Sequence, residues 1–257
     1  MKNFTTPDNK PRRTIRLWSV AVWLLIWHGI SVYIGHEILI TSPLSVAIRL
    51  SQLLLEAGFW QSVMFSFQRI SAGFLLATFS GVAFAALAAR FRRFEEFLTP
   101  AILLFKATPV ASIIILVLIW ISSRNLSVLI SFLIVLPVVY TNILSGIKSA
   151  DPKLLEMADV FRIPVHRRVI FIYVSQVLPF FQAACSVGLG LCWKAGIAAE
   201  VIGIPKGSIG EKLYMAKIYL ATPDLFAWTL TIIIISIAFE RLFMLLIRTL
   251  ISRLERL

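Results

Sequence analysis

The sequence predicts an all-α, polytopic membrane protein with about six transmembrane helices and both termini in the cytoplasm. Hydrophobic residues make up 59% of the 257 residues and charged residues only 15%. The mean hydropathy is +0.88, and this balance is far from that of a soluble globular domain. The apolar residues form long runs, and because a spanning helix needs roughly 20 of them, the chain has room for about six spans.

The basic residues alternate between successive connections, and the net charge is +12. Lysines and arginines gather before the first apolar run, after the second, in a polar segment at 148–179 and near the C-terminus. The connections between these clusters have nearly balanced charge. Positive residues on alternate connections are typical of the cytoplasmic side of a membrane. The charge therefore orients the protein, and we expect no nucleic-acid binding.

The first transmembrane helix and an external connection occupy residues 17–61, after a basic cytoplasmic tail at 1–16. The first span is expected at 17–34. It follows charged residues as a signal peptide would, but no small-residue cleavage site follows it, so we expect the helix to be retained. The connection covers 36–61, and its segment 43–56 has the pattern of an amphipathic helix.

The main transmembrane domain is expected at residues 62–247, followed by a cytoplasmic tail at 248–257. Its spans are predicted near 68–89, 109–121, 126–147, 179–202 and 225–247. An apolar lead-in from residue 98 precedes the third span and is interrupted by Lys106 and Pro109. Six crossings that start inside return the C-terminus to the cytoplasm, in agreement with its arginines.

Small residues recur every four positions along the second span, at Gly73, Ala77, Gly81, Ala85 and Ala89. This spacing keeps them on one stripe of the helix. Small side chains let helix backbones approach closely in lipid. The stripe therefore predicts tight helix packing, either within one subunit or between two subunits.

The polar segment 148–179 interrupts the apolar runs and is amphipathic. Pro152 suits the first position of a helix, and Pro164 ends that helix and can begin a second one. The apolar residues of each short helix share a face. They are Leu154, Met157, Ala158 and Phe161 in the first helix, and Val165, Val169 and Ile172 in the second. We expect a cytoplasmic knob that docks a partner; the alternative is a pair of helices lying on lipid headgroups.

Several motifs of this chain resemble a known family. Glu156-Met157-Ala158, Arg162 where the chain turns, and Leu178-Pro179 resemble the EAA loop of ABC importer permeases. Further motifs resemble the nitrate/sulfonate/taurine branch of these binding-protein-dependent transporters. They are Ser66-Phe67-Gln68-Arg69 with Gly73-Phe74, Lys106-Ala107-Thr108-Pro109, Trp193 with Ala199-Glu200, and Gly207 with Gly210 before Asp224. The resemblance covers about residues 61–247.

The resemblance implies a multi-pass permease of a bacterial cytoplasmic (inner) membrane, with the importer-permease fold. It implies that the 148–179 loop fits a groove on a separate ATP-binding subunit and passes ATP-driven closure to the spans. The coupling residues would be Glu156, Met157, Ala158, Asp159, Phe161, Arg162 and Pro164. The other implied partners are a second permease copy, identical or related, an extracytoplasmic solute-binding protein and membrane lipid.

One position departs from the family, which usually has glycine where Arg162 stands. Glycine adopts a left-handed turn at little cost, whereas a residue with a Cβ is destabilised there by about 1–2 kcal/mol. Either the turn has another geometry in this chain, or Arg162 accepts the strain for an additional contact.

The sequence contains no nucleotide site of its own. The glycine-lysine cluster at 203–208 lacks the spacing of a phosphate-binding loop. We therefore expect ATP and magnesium on the partner subunit and no cofactor on this chain. His28, His36 and His166 are scattered and form no metal-ligand cluster. The chain is accordingly expected to be a transport subunit without catalytic residues, not an enzyme.

Lys194 lies in the middle of the fifth span, where a charge is costly and usually faces a cavity or a partner. In one interpretation, Lys194, Trp193 and Glu200 line a translocation pathway for a small anionic or sulfonate-like solute. In the other, Lys194 forms a structural pair with Glu200, although six residues is a poor helical spacing for that pair.

Two other classes of function fit the sequence less well. A self-sufficient, ion-coupled secondary transporter places acidic or polar ion ligands in broken helices near the midplane. The acids of this chain lie mostly in loops and near helix ends, which favours the ATP-driven importer. A membrane-embedded enzyme is a third alternative, but the spans show no clustered histidines, cysteines or carboxylates in the sequence.

Overall fold

The computed structural model describes residues 17–254, and every regular element in that range is helical. The basic tail predicted at 1–16 and residues 255–257 of the C-terminal tail lie outside the described residues. In chain order the elements are α1 (Leu17–Ile34), α2 (Pro43–Leu54), α3 (Ala57–Arg90), α4 (Arg92–Ala107), α5 (Val110–Val117), α6 (Ser123–Lys148), α7 (Pro152–Val160), α8 (Val165–Arg168), a π-helical segment (Val169–Val174), α9 (Ser175–Gly203), α10 (Ile209–Ile218) and α11 (Thr222–Leu254). The all-α class is confirmed.

Five helical stretches among the described residues are long and apolar enough to cross a membrane. They are α1, α3, α6, the continuous stretch Val165–Gly203 and the greater part of α11. The bent pair α4–α5, with 105° between its two helices, adds a sixth if it counts as one span. The expected number of spans is confirmed, and the cytoplasmic location of the termini stays a prediction.

The core is built around α6, which packs between α3 and α9. The small-residue stripe of α3 makes the first of these contacts possible. A Cβ added at Gly73 would lie 2.8 Å from Ser131 Cβ, and one at Gly81 would lie 2.9 Å from Val139 Cβ. Such distances are too short for non-bonded carbon atoms. The stripe therefore packs within one subunit over most of its length; its last member, Ala89, is exposed.

Helix α3 begins at Ala57 rather than near residue 68, so the external connection ends at Glu56 rather than at residue 61. Serines in the first turns weaken the apolar pattern there. Ser62 and Ser66 are nevertheless buried in the protein. Buried hydroxyl groups need hydrogen-bond partners, and for Ser66 that partner comes from a distant part of the chain.

The predicted third span differs most from its expected form. Instead of one helix at 109–121, two helices meet at Thr108, which is extended, and Pro109, which precedes α5. A proline disfavours the helical conformation of the residue before it, which explains the break. Helix α5 then ends at Val117, after eight residues.

The polar segment 148–179 contains the two short helices that the sequence predicts, separated by Pro164. The second one, α8, does not end there but continues through the π-helical segment into α9. Pro179 consequently lies inside α9 and not at the start of the fifth span. Prolines are tolerated in membrane helices because other donors satisfy the carbonyl groups they free.

Candidate functional site

The beginning of α7 is fixed to the long helix that follows it. Asp151 caps α7, because its side chain accepts a hydrogen bond of 2.9 Å from the Lys153 amide. A capping aspartate also suits the positive end of the helix dipole. The Asp151 amide in turn donates to Gln176 Oε1 at 2.9 Å, and Gln176 belongs to α9.

The end of α7 is a left-handed turn centred on Arg162, whose φ is +49°. The Ile163 amide donates to Ala158 O at 2.8 Å, and the Arg162 amide donates to Asp159 O at 3.0 Å. This pair of bonds is the Schellman motif, in which glycine usually holds the left-handed position. Arg162 thus adopts the left-handed conformation that glycine usually has at this position, which strains its backbone by about 1–2 kcal/mol.

Arg168 clamps this turn from the next helix. Its Nε donates to Ile163 O at 2.7 Å and its Nη2 to Ala158 O at 3.2 Å. Its Nη1 forms an ion pair with the Asp159 carboxylate. The guanidinium group therefore satisfies the carbonyls at the end of α7, where the helix dipole also favours a positive charge. The sequence alone placed Arg168 only among the basic residues of the loop.

The predicted coupling residues mostly face solvent. Ala158 is buried, and the other members are exposed: Glu156, Met157, Asp159, Phe161, Arg162 and Pro164. Phe161 is 73% exposed, and the neighbouring Val160 and Val165 are similarly exposed. Large exposed apolar side chains close together in the chain, beside exposed charged residues, are typical of an interaction site.

The three predicted pathway residues lie in different environments on α9. Trp193 is 2% exposed and contacts the rings of Phe67 and Phe239 in the core. Glu200 is fully buried, whereas Lys194 is exposed. Within the described part of the chain, no ion pair joins Lys194 to Glu200. Of the three, Lys194 is the one whose side chain reaches the surface of this chain.

Glu200 holds three helices together. Ser66 Oγ on α3 donates to Glu200 Oε2 at 2.6 Å, and the Gly210 amide at the start of α10 donates to the same oxygen at 3.3 Å. The Ile209 amide donates to Ser66 Oγ at 2.9 Å. A Cβ at Gly210 would lie 2.6 Å from Val201 N, so glycine is needed for this close approach. The carboxylate thus faces the positive end of α10.

Sequence reasoning did not connect these residues, because Ser66 and Glu200 are 134 positions apart. The available signal was that Ser66, Glu200 and Gly210 all stand in motifs that resemble the family. A second contact that the sequence did not reveal joins α2 to α11, where Arg49 forms an ion pair with Asp224. The hydrogen bond with Asp224 raises the pKa of Arg49.

Comparisons with known proteins support the motifs found in the sequence. Residues 81–256 match the family of the binding-protein-dependent transport system inner membrane component. One relative is a Bacillus subtilis (strain 168) protein that is named as an aliphatic sulfonates transport permease protein. The two sequences are 26% identical over 210 residues, and this alignment covers 81% of this chain and 74% of the relative.

Two further relatives have similar coverage. The taurine transport system permease protein of Escherichia coli (strain K12) is 25% identical over 234 residues, or 88% of this chain and 85% of its own length. The nitrate import permease protein of Synechococcus elongatus (strain ATCC 33912 / PCC 7942 / FACHB-805) is 22% identical over 206 residues, which cover 76% of this chain and 73% of the relative. The motif resemblance is confirmed. This chain belongs to the family of binding-protein-dependent transport system inner membrane components.

Proposed function

We propose that this chain is the membrane-spanning permease subunit of an ATP-driven importer and that its 148–179 loop binds a separate ATPase subunit. The observation that supports the docking role most directly is the exposed face of α7 on a rigidly held helix. Glu156, Met157 and Phe161 are exposed there, while both ends of α7 are hydrogen-bonded to the helical stretch that follows. A partner that moves α7 therefore moves the fifth span.

The same helix carries this movement across the membrane. Arg168 and Gln176 hold α7 at the start of the continuous stretch Val165–Gly203. Near the other end of that stretch, Glu200 holds α10 through the Gly210 amide. We propose that closure of the ATPase subunits shifts α9 and, through Glu200, the short helix α10 on the opposite side.

The docking role is tested by Glu156→Lys, because Glu156 is exposed and its removal breaks no described hydrogen bond. The variant is expected to insert and fold normally but to lose the ATPase subunit on purification, or to uncouple ATP hydrolysis from transport. Glu96→Lys is the matched control: Glu96 is an exposed acid at the start of α4 whose ion pair with Arg92 lies on the surface and contributes little. Unchanged transport and ATPase retention in Glu156→Lys would rule out the docking role.

We further propose that Lys194 faces the pathway and favours a small anionic or sulfonate-like solute. Three relatives are named for aliphatic sulfonates, taurine and nitrate, solutes that carry a negatively charged group. A lysine exposed on one chain at mid-span needs a facing surface other than lipid. A second permease copy supplies that surface, while Trp193 and Glu200 fix α9 from inside the subunit.

The pathway role is tested by Lys194→Met, which keeps the approximate length of the side chain and removes its charge. Transport of an organosulfonate or nitrate is expected to fall while ATPase binding persists. Lys206→Met, at an exposed lysine of the turn before α10, is the control. Unaffected transport in Lys194→Met would remove the anion assignment, and loss of assembly would show that Lys194 is a structural residue.

The remaining proposed partners are an extracytoplasmic solute-binding protein and the second permease copy. The mass of the purified complex is expected to show two permease and two ATPase subunits. A mass that corresponds to one permease chain would contradict the paired pathway.

A further inference from the structure

A pocket on the 148–179 loop contains more positive charge than the chain itself neutralises. The pocket has a volume of about 410 Å³ and lies between the end of α7 and the start of the next helix. Three arginines line it together with two phenylalanines: Arg162, Arg167 and Arg168 with Phe161 and Phe171. Both phenylalanines are more than half exposed, so the pocket is open to a partner.

The three arginines are not equivalent. Arg168 is engaged by the Asp159 carboxylate and by two carbonyl groups. In residues 17–254, the guanidinium groups of Arg162 and Arg167 have no hydrogen-bond or ion-pair partner. Two arginines without a carboxylate partner therefore face one cavity with aromatic walls. Guanidinium groups bind carboxylates with two parallel hydrogen bonds and also stack on aromatic rings.

The backbone shows that the position of Arg162 matters as well as its charge. Arg162 holds the left-handed position of the turn at φ +49°, where glycine would be free of strain. A diffuse attraction to anionic lipid would need only positive charge nearby, on any unstrained residue of the loop. A strained arginine at the rim of a pocket indicates a partner charge at a fixed place.

We propose that Arg162 and Arg167 together bind an acidic side chain of the ATPase subunit, and that this contact helps this permease select its own ATPase. The partner segment would carry an aspartate or glutamate beside an apolar residue, which would contact Phe161 and Phe171. The inference rests on the proposed docking role and adds the chemistry of the partner surface to it.

The first test measures the dissociation constant of the ATPase subunit for the detergent-purified permease. Arg162→Gly relieves the strained turn and removes the guanidinium group, so the unfolding temperature is expected to stay equal or rise. The dissociation constant is expected to rise about tenfold, and Arg167→Gln should have a similar effect. Leu220→Gly is the matched control, because Leu220 has φ +54° at the end of α10, far from the loop. It should relieve the same strain without changing ATPase affinity.

Charge exchange tests the identity of the partner group. Arg162→Glu is expected to abolish binding, and arginine at one acidic position of the ATPase surface should restore it. If Glu156→Lys weakens binding but Arg162→Gly and Arg167→Gln do not, the acidic contact is refuted while the docking role stands. If none of the three weakens binding, both are refuted. If the arginine variants act only in nanodiscs with phosphatidylglycerol and not in pure phosphatidylcholine, a lipid headgroup is the ligand and the proposal is wrong.

Discussion

Replacing Glu200 by alanine should destabilise the protein strongly, although Glu200 lies far from the 148–179 loop. The substitution leaves Ser66 Oγ and the Gly210 amide without their buried acceptor. Each buried donor without a partner costs about 1–3 kcal/mol, so the two together cost about 2–6 kcal/mol. The loss of the buried Glu200 Oε1, which has no hydrogen-bond partner among the described residues, offsets part of this cost. At about 2–4 °C per kcal/mol for a chain of this size, the unfolding temperature should fall by roughly 10 °C.

The chain contains its own reporter for this measurement. Cys185 and Cys192 are its two cysteines, and both are buried and free. A thiol-reactive dye should label them only as the detergent-solubilised protein unfolds. Glu211→Ala is the matched control, because Glu211 also binds an amide near the start of α10, that of Gly207, but at an exposed site. Its effect should be below about 1 kcal/mol.

Glu200→Gln should lower the unfolding temperature less than Glu200→Ala, since the amide oxygen can still accept a hydrogen bond from Ser66. If Glu200→Ala and Glu211→Ala lower the unfolding temperature by the same few degrees, the buried carboxylate does not hold α3, α9 and α10 together. The reasoning from unsatisfied donors would then be refuted.

Three further outcomes follow from the geometry. Arg168→Ala should leave membrane insertion intact but free the end of α7. In proteoliposomes, ATP hydrolysis by the complex should therefore continue while transport falls at least tenfold. Coupled transport at the normal rate would contradict this prediction. Gly81→Leu should force α3 away from Val139 on α6 and lower the yield of folded protein in size-exclusion chromatography, whereas Ala89→Leu, at an exposed position, should not. In a background without native cysteines, Lys153→Cys and Lys212→Cys should react with an impermeant maleimide from opposite sides of the membrane; labelling of both in intact cells would overturn the predicted topology.

Hydropathy and charge predicted the helical class and the number of spans, because lipid requires long apolar helices whatever their tertiary contacts. The start of α3 was missed because Ser62 and Ser66 interrupt the apolar pattern, and the burial of Ser66 depends on a distant partner. The break at Pro109 was visible as a proline but its 105° bend was not. Local preferences limit the conformation of single residues, whereas a bend depends on what the second helix packs against.

The 148–179 loop was predictable in its residues but not in its geometry. Pro152 marked the start of α7 correctly and Pro164 the start of α8, because proline acts through its own ring and its immediate neighbours. The end of α7 was placed too late, since the helix stops at Val160 and the turn at Arg162 follows before Pro164. The left-handed conformation of Arg162 was one of two alternatives that the sequence left open. In the structure this conformation occurs together with the Arg168 contacts, which join two helices and which the sequence did not reveal. The burial of Glu200 and Trp193, in contrast to the exposure of Lys194, likewise depends on how α9 is rotated against α3 and α6.

The stretch Val165–Gly203 is so long that a small tilt displaces its two ends considerably. Its 39 residues extend over roughly 55 Å, nearly twice the thickness of about 30 Å of the hydrocarbon core. A tilt of about 10° around its midpoint would displace each end by roughly 5 Å in opposite directions, by simple geometry on that length. The clamp of Arg168 sits at one end and the Glu200 cluster near the other. Under the proposed docking role, a small push on the loop would become an opposite movement of α10.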